Sequence, residues 1–527
     1  MAHFSVALAL IASVSYIFYY YLKVLVQARR RAAKARQLGC KEPPSERARL
    51  PWGIDFVQAA IRADKQKLFP DHLLRRAEIM GASTWRYSVF GQTDVSTCDP
   101  QNIQAILATH FGTFDLGPRR ASTFWPMLGN GIFTQYGSAW RHSRDLIRPQ
   151  FTRAQVSDLD HEEQHVQNMM SALQVKFQPD GWTSMVDLQT LFFRLTLDSA
   201  TQFLLGESAD SQLQYIPGYS KKRNSAEELH NIDFATAFDL GQAGIATRAR
   251  LGAMYWIYNP KPFREATKAV NQFMDYYVQR ALNKDVREKS SEQGSQQKYV
   301  FLDALAEQTQ DPIELRSQLT HILLAGRDTT ASMLGWLFFC LARDPARYKK
   351  LRDIIVEDFG TFHNPKEITF AKLKSCQYLQ HCNNETLRLY PAVPINSREA
   401  SQDCVLPTGG GPDRKSPVFV PRGSSVDYSV HVMQRSRFFW GPDADQFVPE
   451  RWQNRKVGWE FLPFNGGPRI CLGQQFALTQ ASYVTVRMLQ RFDAIENMET
   501  DPVVKHNVTL TNCSANGVKV KLRVASE

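Results

Sequence analysis

A mainly helical fold with small β-sheets is predicted by three features of the chain. Amphipathic patterns at helical spacing dominate its length. One of them runs unbroken for roughly 32 residues, or about 48 Å, from Asp311 as N-cap and Pro312 at the first helical position to a stop at Asp344-Pro345. Strand-like runs are short by contrast, the clearest being Ser83 to Cys98 and Val418 to Val432. Although 527 residues would suit several domains, no interior stretch reads as a linker between independent cores. The polar stretches Glu207 to Asn231 and Asp285 to Lys298 lack periodicity and read as surface loops.

The N-terminus stands apart. Phe4 to Leu22 carries no charge over 19 residues, just long enough to cross a bilayer. Arg29, Arg30, Arg31, Lys34 and Arg36 follow it, the reverse of a secretory signal, and positive flanks stay cytoplasmic. The chain therefore divides into a membrane anchor over 1–26, a basic, proline-containing tether over 27–51, and a body over 52–527. Between Lys23 and Leu50 lie nine Lys or Arg and two Glu, so seven of the net +11 charges belong to the tether. A body left with +4 is unsuited to general nucleic-acid binding.

Within the body, Trp140 and Arg144 share one helical face at i, i+4. His142 between them reads as a solvated residue on a basic helix, with metal ligation as its competing role. Arg141, Arg148 and Arg153, with Arg455 and Lys456, are either solvated charges or a face for an acidic electron donor. His321, Arg327 and Asp328 interrupt the apolar run of the long helix at its centre, so it crosses a large core rather than a membrane. Asp328 and Thr329 read either as a local hydrogen-bonded pair or as a carboxylate-backed hydroxyl able to relay protons. Gly326 would leave room beside them. Glu385 and Arg388 stand at i, i+3, and Gly409-Gly410-Gly411 reads as a hairpin turn. Eight cysteines form no framework of close pairs, which fits a reducing compartment.

The most telling segment is Phe464-Asn465-Gly466-Gly467-Pro468-Arg469-Ile470-Cys471-Leu472-Gly473. Its glycines allow a tight turn around one sulfur, and the helix expected from Gln474 would favour the thiolate at Cys471. Arg469 presents a guanidinium fork suited to a carboxylate. An inert buried cysteine is the alternative.

This loop resembles the haem-binding signature of the cytochrome P-450 family. The segments Trp140–Arg144, Ala325–Thr330, Glu385–Arg388 and Pro449–Trp452 follow the order that family uses. Leu406–Asp413, Arg250–Trp256 and Gln474–Leu478 resemble its fungal alkane and fatty-acid hydroxylase branch, so that the likeness covers most of the chain. The resemblance implies the cytochrome P-450 fold, with haem b (heme b, iron protoporphyrin IX) between the long central helix and the helix after the cysteine loop. It makes Cys471 the iron ligand and assigns Phe464, Arg469, Trp140, Arg144 and Arg398 to cofactor binding. It also makes Asp328 and Thr329 the proton-delivering catalytic pair, and Glu385, Arg388 and Arg451 a buried cluster that fixes the cysteine loop.

The activity implied is a monooxygenase that uses O2 and takes electrons from NADPH through a separate NADPH-cytochrome P-450 reductase. The substrate implied is a lipophilic small molecule, either a fatty acid or alkane hydroxylated at its end, or a polyketide or terpenoid of a secondary-metabolite pathway. A non-oxidative haem-thiolate isomerase and a non-catalytic haem sensor are the other classes considered. Phe124, Trp125, Leu128, Ile132, Phe133, Val393 and Ile395 are candidate pocket residues, with core packing as their alternative. The location implied is the endoplasmic reticulum membrane, with a single span and the body on the cytosolic face.

Overall fold

The computed structural model describes residues 2–152, 159–219, 234–283 and 299–526. The 285–298 stretch expected as a loop lies outside these, as do 220–231 of the other expected loop and Arg153. Of the first loop, residues 207–219 are irregular apart from a short turn at Leu213–Tyr215.

The centre of the molecule is the helix Pro312–Ala342, hereafter the core helix, which starts as the sequence predicts: Asp311 accepts from the Ile313 N–H at 2.9 Å, with Pro312 in the first turn. A helix apolar around its whole circumference must be buried on all sides, and most of these side chains are. It packs most extensively on Leu188–Leu205, and also on Lys261–Leu282, Gln377–Leu389 and Gln474–Arg491.

The sheets are small and peripheral. Strands β1 (Thr84–Val89) and β2 (Gln92–Thr97) form a hairpin whose turn residues Phe90 and Gly91 both have positive φ, as a tight two-residue turn requires. Strands β3 (Phe114–Asp115), β4 (Val186–Asp187) and β5 (Ile395–Ala400) follow. Next come β6 (Cys404–Gly410), β7 (Ser416–Val420) and β8 (Ser425–Ser429). The main sheet has the order β1-β2-β8-β5-β3, with β2 and β8 parallel and its other neighbours antiparallel. Strands β6 and β7 pair antiparallel on either side of the glycine-rich turn, which is the expected hairpin. A Cβ on Gly410 would strike the backbones of Lys41 and Pro417, so glycine is required there.

The N-terminal stretch divides differently from the sequence reading. A single helix, Ala2–Gln37, includes both the apolar run and the arginines, so the anchor and the first part of the tether form one rod. Its portion Leu10–Gln37 is long and apolar enough to cross a membrane and its apolar stretch is unburied, while Lys34 near its end pairs with Asp403 of the body at 3.4 Å. The second part of the tether is docked rather than free. Lys41 N–H bonds to Pro417 O, Arg86 N–H to Pro44 O, and Glu46 N–H back to Arg86 O, at 2.8–2.9 Å. Backbone pairing with β1 overrides the polar, proline-containing composition that suggested a linker.

Candidate active site

Phe464–Gly473 forms a tight loop closed by a hydrogen bond from the Cys471 N–H to the Phe464 carbonyl at 3.0 Å. Two left-handed residues make the turn, Asn465 at φ 61° and Gly467 at φ 66°. A Cβ on Gly467 would run into the Leu107 carbonyl, and one on Gly466 would lie 2.7 Å from the Trp459 ring. The helix Gln474–Arg491 begins three residues after the cysteine. Cys471 has an accessible face, yet protein surrounds it so closely that burial pushes its thiol up. The helix end does not win outright, contrary to the sequence expectation: the Gly473 N–H and the Arg144 charge lower the thiol, but burial outweighs them. A bound metal ion would complete the ionisation, because a coordinating thiol is deprotonated outright.

Around the loop the structure assembles Trp140 and Arg144 of one helix with Arg469 and Arg398 from distant parts of the sequence. The Trp140 ring lies between two guanidiniums, with Arg469 at 4.2 Å and Arg144 at 5.8 Å from its centroid. Arg144 also donates to the Ile470 carbonyl at 3.2 Å. Arg469 bonds Asp115 at 2.6 Å and the carbonyls of Gln135 and Ile132 at 3.3 and 3.4 Å. Arg398 is buried on β5 and donates to the Ser397 carbonyl at 2.7 Å. Arg120, from the helix Gly117–Leu128, joins them by donating to Asn396 at 2.7 Å and to the Phe133 carbonyl at 3.1 Å. Sequence reasoning missed Arg120, whose only local signal is its pairing with Arg119.

Burial, with the Arg398 charge nearby, pushes the Arg120 guanidinium down to about 10. Burial likewise pushes Arg469 down to about 9; Asp115 opposes this, while Arg398 and Arg120 add to it. Three buried cations facing one carboxylate call for further negative charge. The Nε of Arg469, buried and without a hydrogen-bond partner among the described residues, points to the same need. Two carboxylates on a flat apolar body beside an axial sulfur meet it, which is the chemistry of a haem with its propionates. The residues present fit that group.

On the core helix the expected pairing of Asp328 with Thr329 does not form. Adjacent helical residues point in different directions. Thr329 donates its hydroxyl to the Ala325 carbonyl at 2.7 Å, while Asp328 accepts from Arg327 at 3.2 Å. Arg327 also binds Asp239, on the helix Phe234–Arg250, at 2.5 Å. Asp328 is thus joined through a buried guanidinium to a half-exposed carboxylate. Burial raises Asp328 to about 6, against the lowering effect of Arg327. An added Cβ at Gly326 would meet only Ala200, at 3.8 Å, so that glycine borders the helix Leu188–Leu205.

Glu385, Arg388 and Arg451 form a closed knot. Arg388 grips both oxygens of Glu385 at 2.9 Å, and Arg451 adds a bond at 2.8 Å. The Trp452 indole and the Val448 N–H complete the carboxylate's partners at 2.9 Å. Arg388 reaches on to the carbonyls of Gln434 and Ala444. Gln434, buried and not anticipated from sequence, accepts from the Leu462 N–H at 2.7 Å and so links the knot to the cysteine loop. His142 is exposed and bonded to Glu314, the solvated role of its two alternatives.

A mainly helical body with a cysteine loop, a buried arginine cluster and a long core helix is that of a haem-binding enzyme. The family description Cytochrome P450 matches residues 50–519. Cytochrome P450 monooxygenase g430 of Fusarium sp is 58% identical over 510 residues, covering 96% of this chain and 89% of that protein. Cytochrome P450 monooxygenase alt2 of Alternaria solani is 42% identical over 541 residues, covering 99% of both. Cytochrome P450 52A12 of Debaryomyces hansenii is 44% identical, covering 92% of this chain and 93% of that protein. The chain belongs to the cytochrome P450 family, and it is an oxidoreductase, a haem-dependent monooxygenase.

Proposed function

We propose that this monooxygenase inserts one oxygen atom from O2 into a C–H bond of a lipophilic substrate with a long alkyl chain, a fatty acid or alkane hydroxylated at or near its end. The observation that carries the reading is Cys471, which keeps an accessible face in its glycine-built loop beside the cluster of Arg469, Arg398 and Arg120. When bound, haem supplies the oxygen activation, and a thiolate ligand donates the electron density that favours O–O cleavage. Cys471 would hold the iron, and Arg469, Arg398 and Arg120 would bind the propionates, with Trp140 and Arg144 at the same edge. Phe124, Ile132 and Phe133 are only partly buried and would give a lipophilic substrate apolar walls.

Asp328 is suited to proton delivery because its raised pKa leaves a useful fraction of carboxylic acid near neutral pH. Its link to solvent runs through Arg327 and Asp239, and a proton passed to Thr329 requires the Thr329 hydroxyl to turn from the Ala325 carbonyl. Electrons would come from NADPH through a flavoprotein reductase. The exposed Arg141, Arg148 and Lys456 are candidates for its docking face. The N-terminal helix would anchor the protein in the endoplasmic reticulum membrane, with Arg29–Arg36 on the cytosolic side.

The test is turnover of dodecane and dodecanoic acid by the full chain with reductase, NADPH and O2. Hydroxylated product in step with NADPH use supports the reading, and NADPH use unaffected by either compound overturns it. A tailoring oxygenase of a fungal biosynthetic pathway, acting on a polyketide or terpenoid, is the second reading, because the fungal monooxygenases g430 and alt2 match this chain along nearly its whole length as well as 52A12 does. Tight binding of such compounds with none of alkanes or fatty acids would select it.

A further inference from the structure

His321 sits at the middle of the core helix, fully buried, and neither the loop nor the helix motifs account for it. Both ring nitrogens are used. Nδ1 accepts from the Phe133 N–H at 3.2 Å, and Nε2 lies 3.1 Å from the Leu128 carbonyl, to which it donates. These partners specify a single neutral tautomer, since a proton on Nδ1 would face the Phe133 N–H. The Phe133 ring stacks on the imidazole, 5.3 Å between centroids and 15° from parallel. A Cβ on Gly131 would lie 2.8 Å from three ring atoms, so the backbone of 128–133 wraps the histidine at contact distance.

The same segment is tied on its other side to the cofactor end of the molecule. Arg469, two residues before Cys471, donates to the carbonyls of Ile132 and Gln135. Arg120 donates to the carbonyl of Phe133, so that residue's peptide groups are held from both directions. Along the core helix, His321 and Asp328 are seven residues apart, two turns on one face.

We propose that His321 is a positioning residue: it fixes segment 128–135, and with it the apolar side chains Ile132 and Phe133, above the haem site, and so sets which ligands fit there. The proposal rests on the haem-thiolate reading but not on the identity of the natural substrate.

The test uses the full chain loaded with haem and compares two probes, imidazole and 4-phenylimidazole, by spectral titration. His321→Ala removes both hydrogen bonds and the stack, His321→Phe keeps the ring but removes the bonds, and Gly131→Ala displaces the ring without altering it. Misplacement by about 1 Å changes such site-dependent quantities by up to 100-fold. The ratio of the two dissociation constants is therefore expected to move by about tenfold or more in each variant that retains haem. Imidazole affinity and the sulfur-ligated spectrum should stay near those of the unaltered protein. A ratio within about twofold of the unaltered protein in the haem-loaded variants, or loss of haem from all three, overturns the proposal. A spectrum unresponsive to imidazole in the unaltered protein would instead count against the haem-thiolate reading itself.

Discussion

Replacing Glu385 by Gln is the sharpest test of what holds the cysteine loop. Its carboxylate has no exposure and accepts five bonds, from Arg388 twice, Arg451, Trp452 and Val448. The amide keeps the volume but removes the negative charge and turns one acceptor into a donor facing other donors. Arg451 retains Asp443, at 3.0 Å, but Arg388 has no second carboxylate among the described residues and is itself fully buried. Removing one partner of a buried ion pair costs about 3–5 kcal/mol, a large share of the roughly 5–15 kcal/mol by which folded proteins are stable. With 527 residues at about 2.1 cal/mol/K each, the unfolding entropy is about 1.1 kcal/mol/K. The melting temperature should then fall by about 3–5 °C if the body unfolds as a unit. Calorimetry on the haem-loaded full chain measures the shift, and absorbance follows haem release. An E385Q protein that melts within 1 °C of the unaltered one with full haem content would refute the argument.

Other consequences are as direct. Thr329→Ala should lower product formed per NADPH by up to about 100-fold, the low end of what a positioned proton donor contributes, with the lost electrons appearing as peroxide or water; unchanged coupling would remove Thr329 from proton delivery. Arg120→Gln should weaken haem retention in competition with apomyoglobin, since it removes one of three buried cations at the site; undiminished retention would place Arg120 outside the cofactor's reach. Glu162, bonded to Ser199 and Gln480, is held up at about 7 mainly by burial, with those hydrogen bonds opposing. The folded state therefore binds more protons than the unfolded one between about pH 4.5 and 7, so this group's contribution to stability falls as pH rises through that window. Glu162→Gln should raise the melting temperature at pH 8 but not at pH 4; equal shifts at both would contradict the assignment.

Much of this was legible in the sequence where the signal is contiguous. The cysteine loop announces itself through glycines at fixed places, and the core helix through Asp311-Pro312. Glu385, Arg388 and Arg451 were found because their flanking segments are distinctive. What was hidden depends on contacts between distant segments. Arg120 and Asp115 become site residues only when the helix 117–128 and strand β3 fold against the cysteine loop. Gln434 is one amide among many until Leu462 lies beside it. Adjacency in sequence suggested that Asp328 supports Thr329, whereas helical geometry sends the carboxylate to Arg327. Residues 27–51 read as a tether because composition does not disclose that Pro44 and Glu46 bond the backbone of β1. The thiol of Cys471 was expected low from the helix end alone, because burial cannot be weighed before the fold is known.

The measurement closest to the central claim is the absorbance of the reduced, carbon monoxide-treated protein, taken on the unaltered chain and on Cys471→Ser. Sulfur ligation from position 471 predicts the strongly red-displaced Soret band in the first and its absence in the second. An ordinary Soret band in the unaltered protein, or a displaced one that survives the serine substitution, would contradict the account.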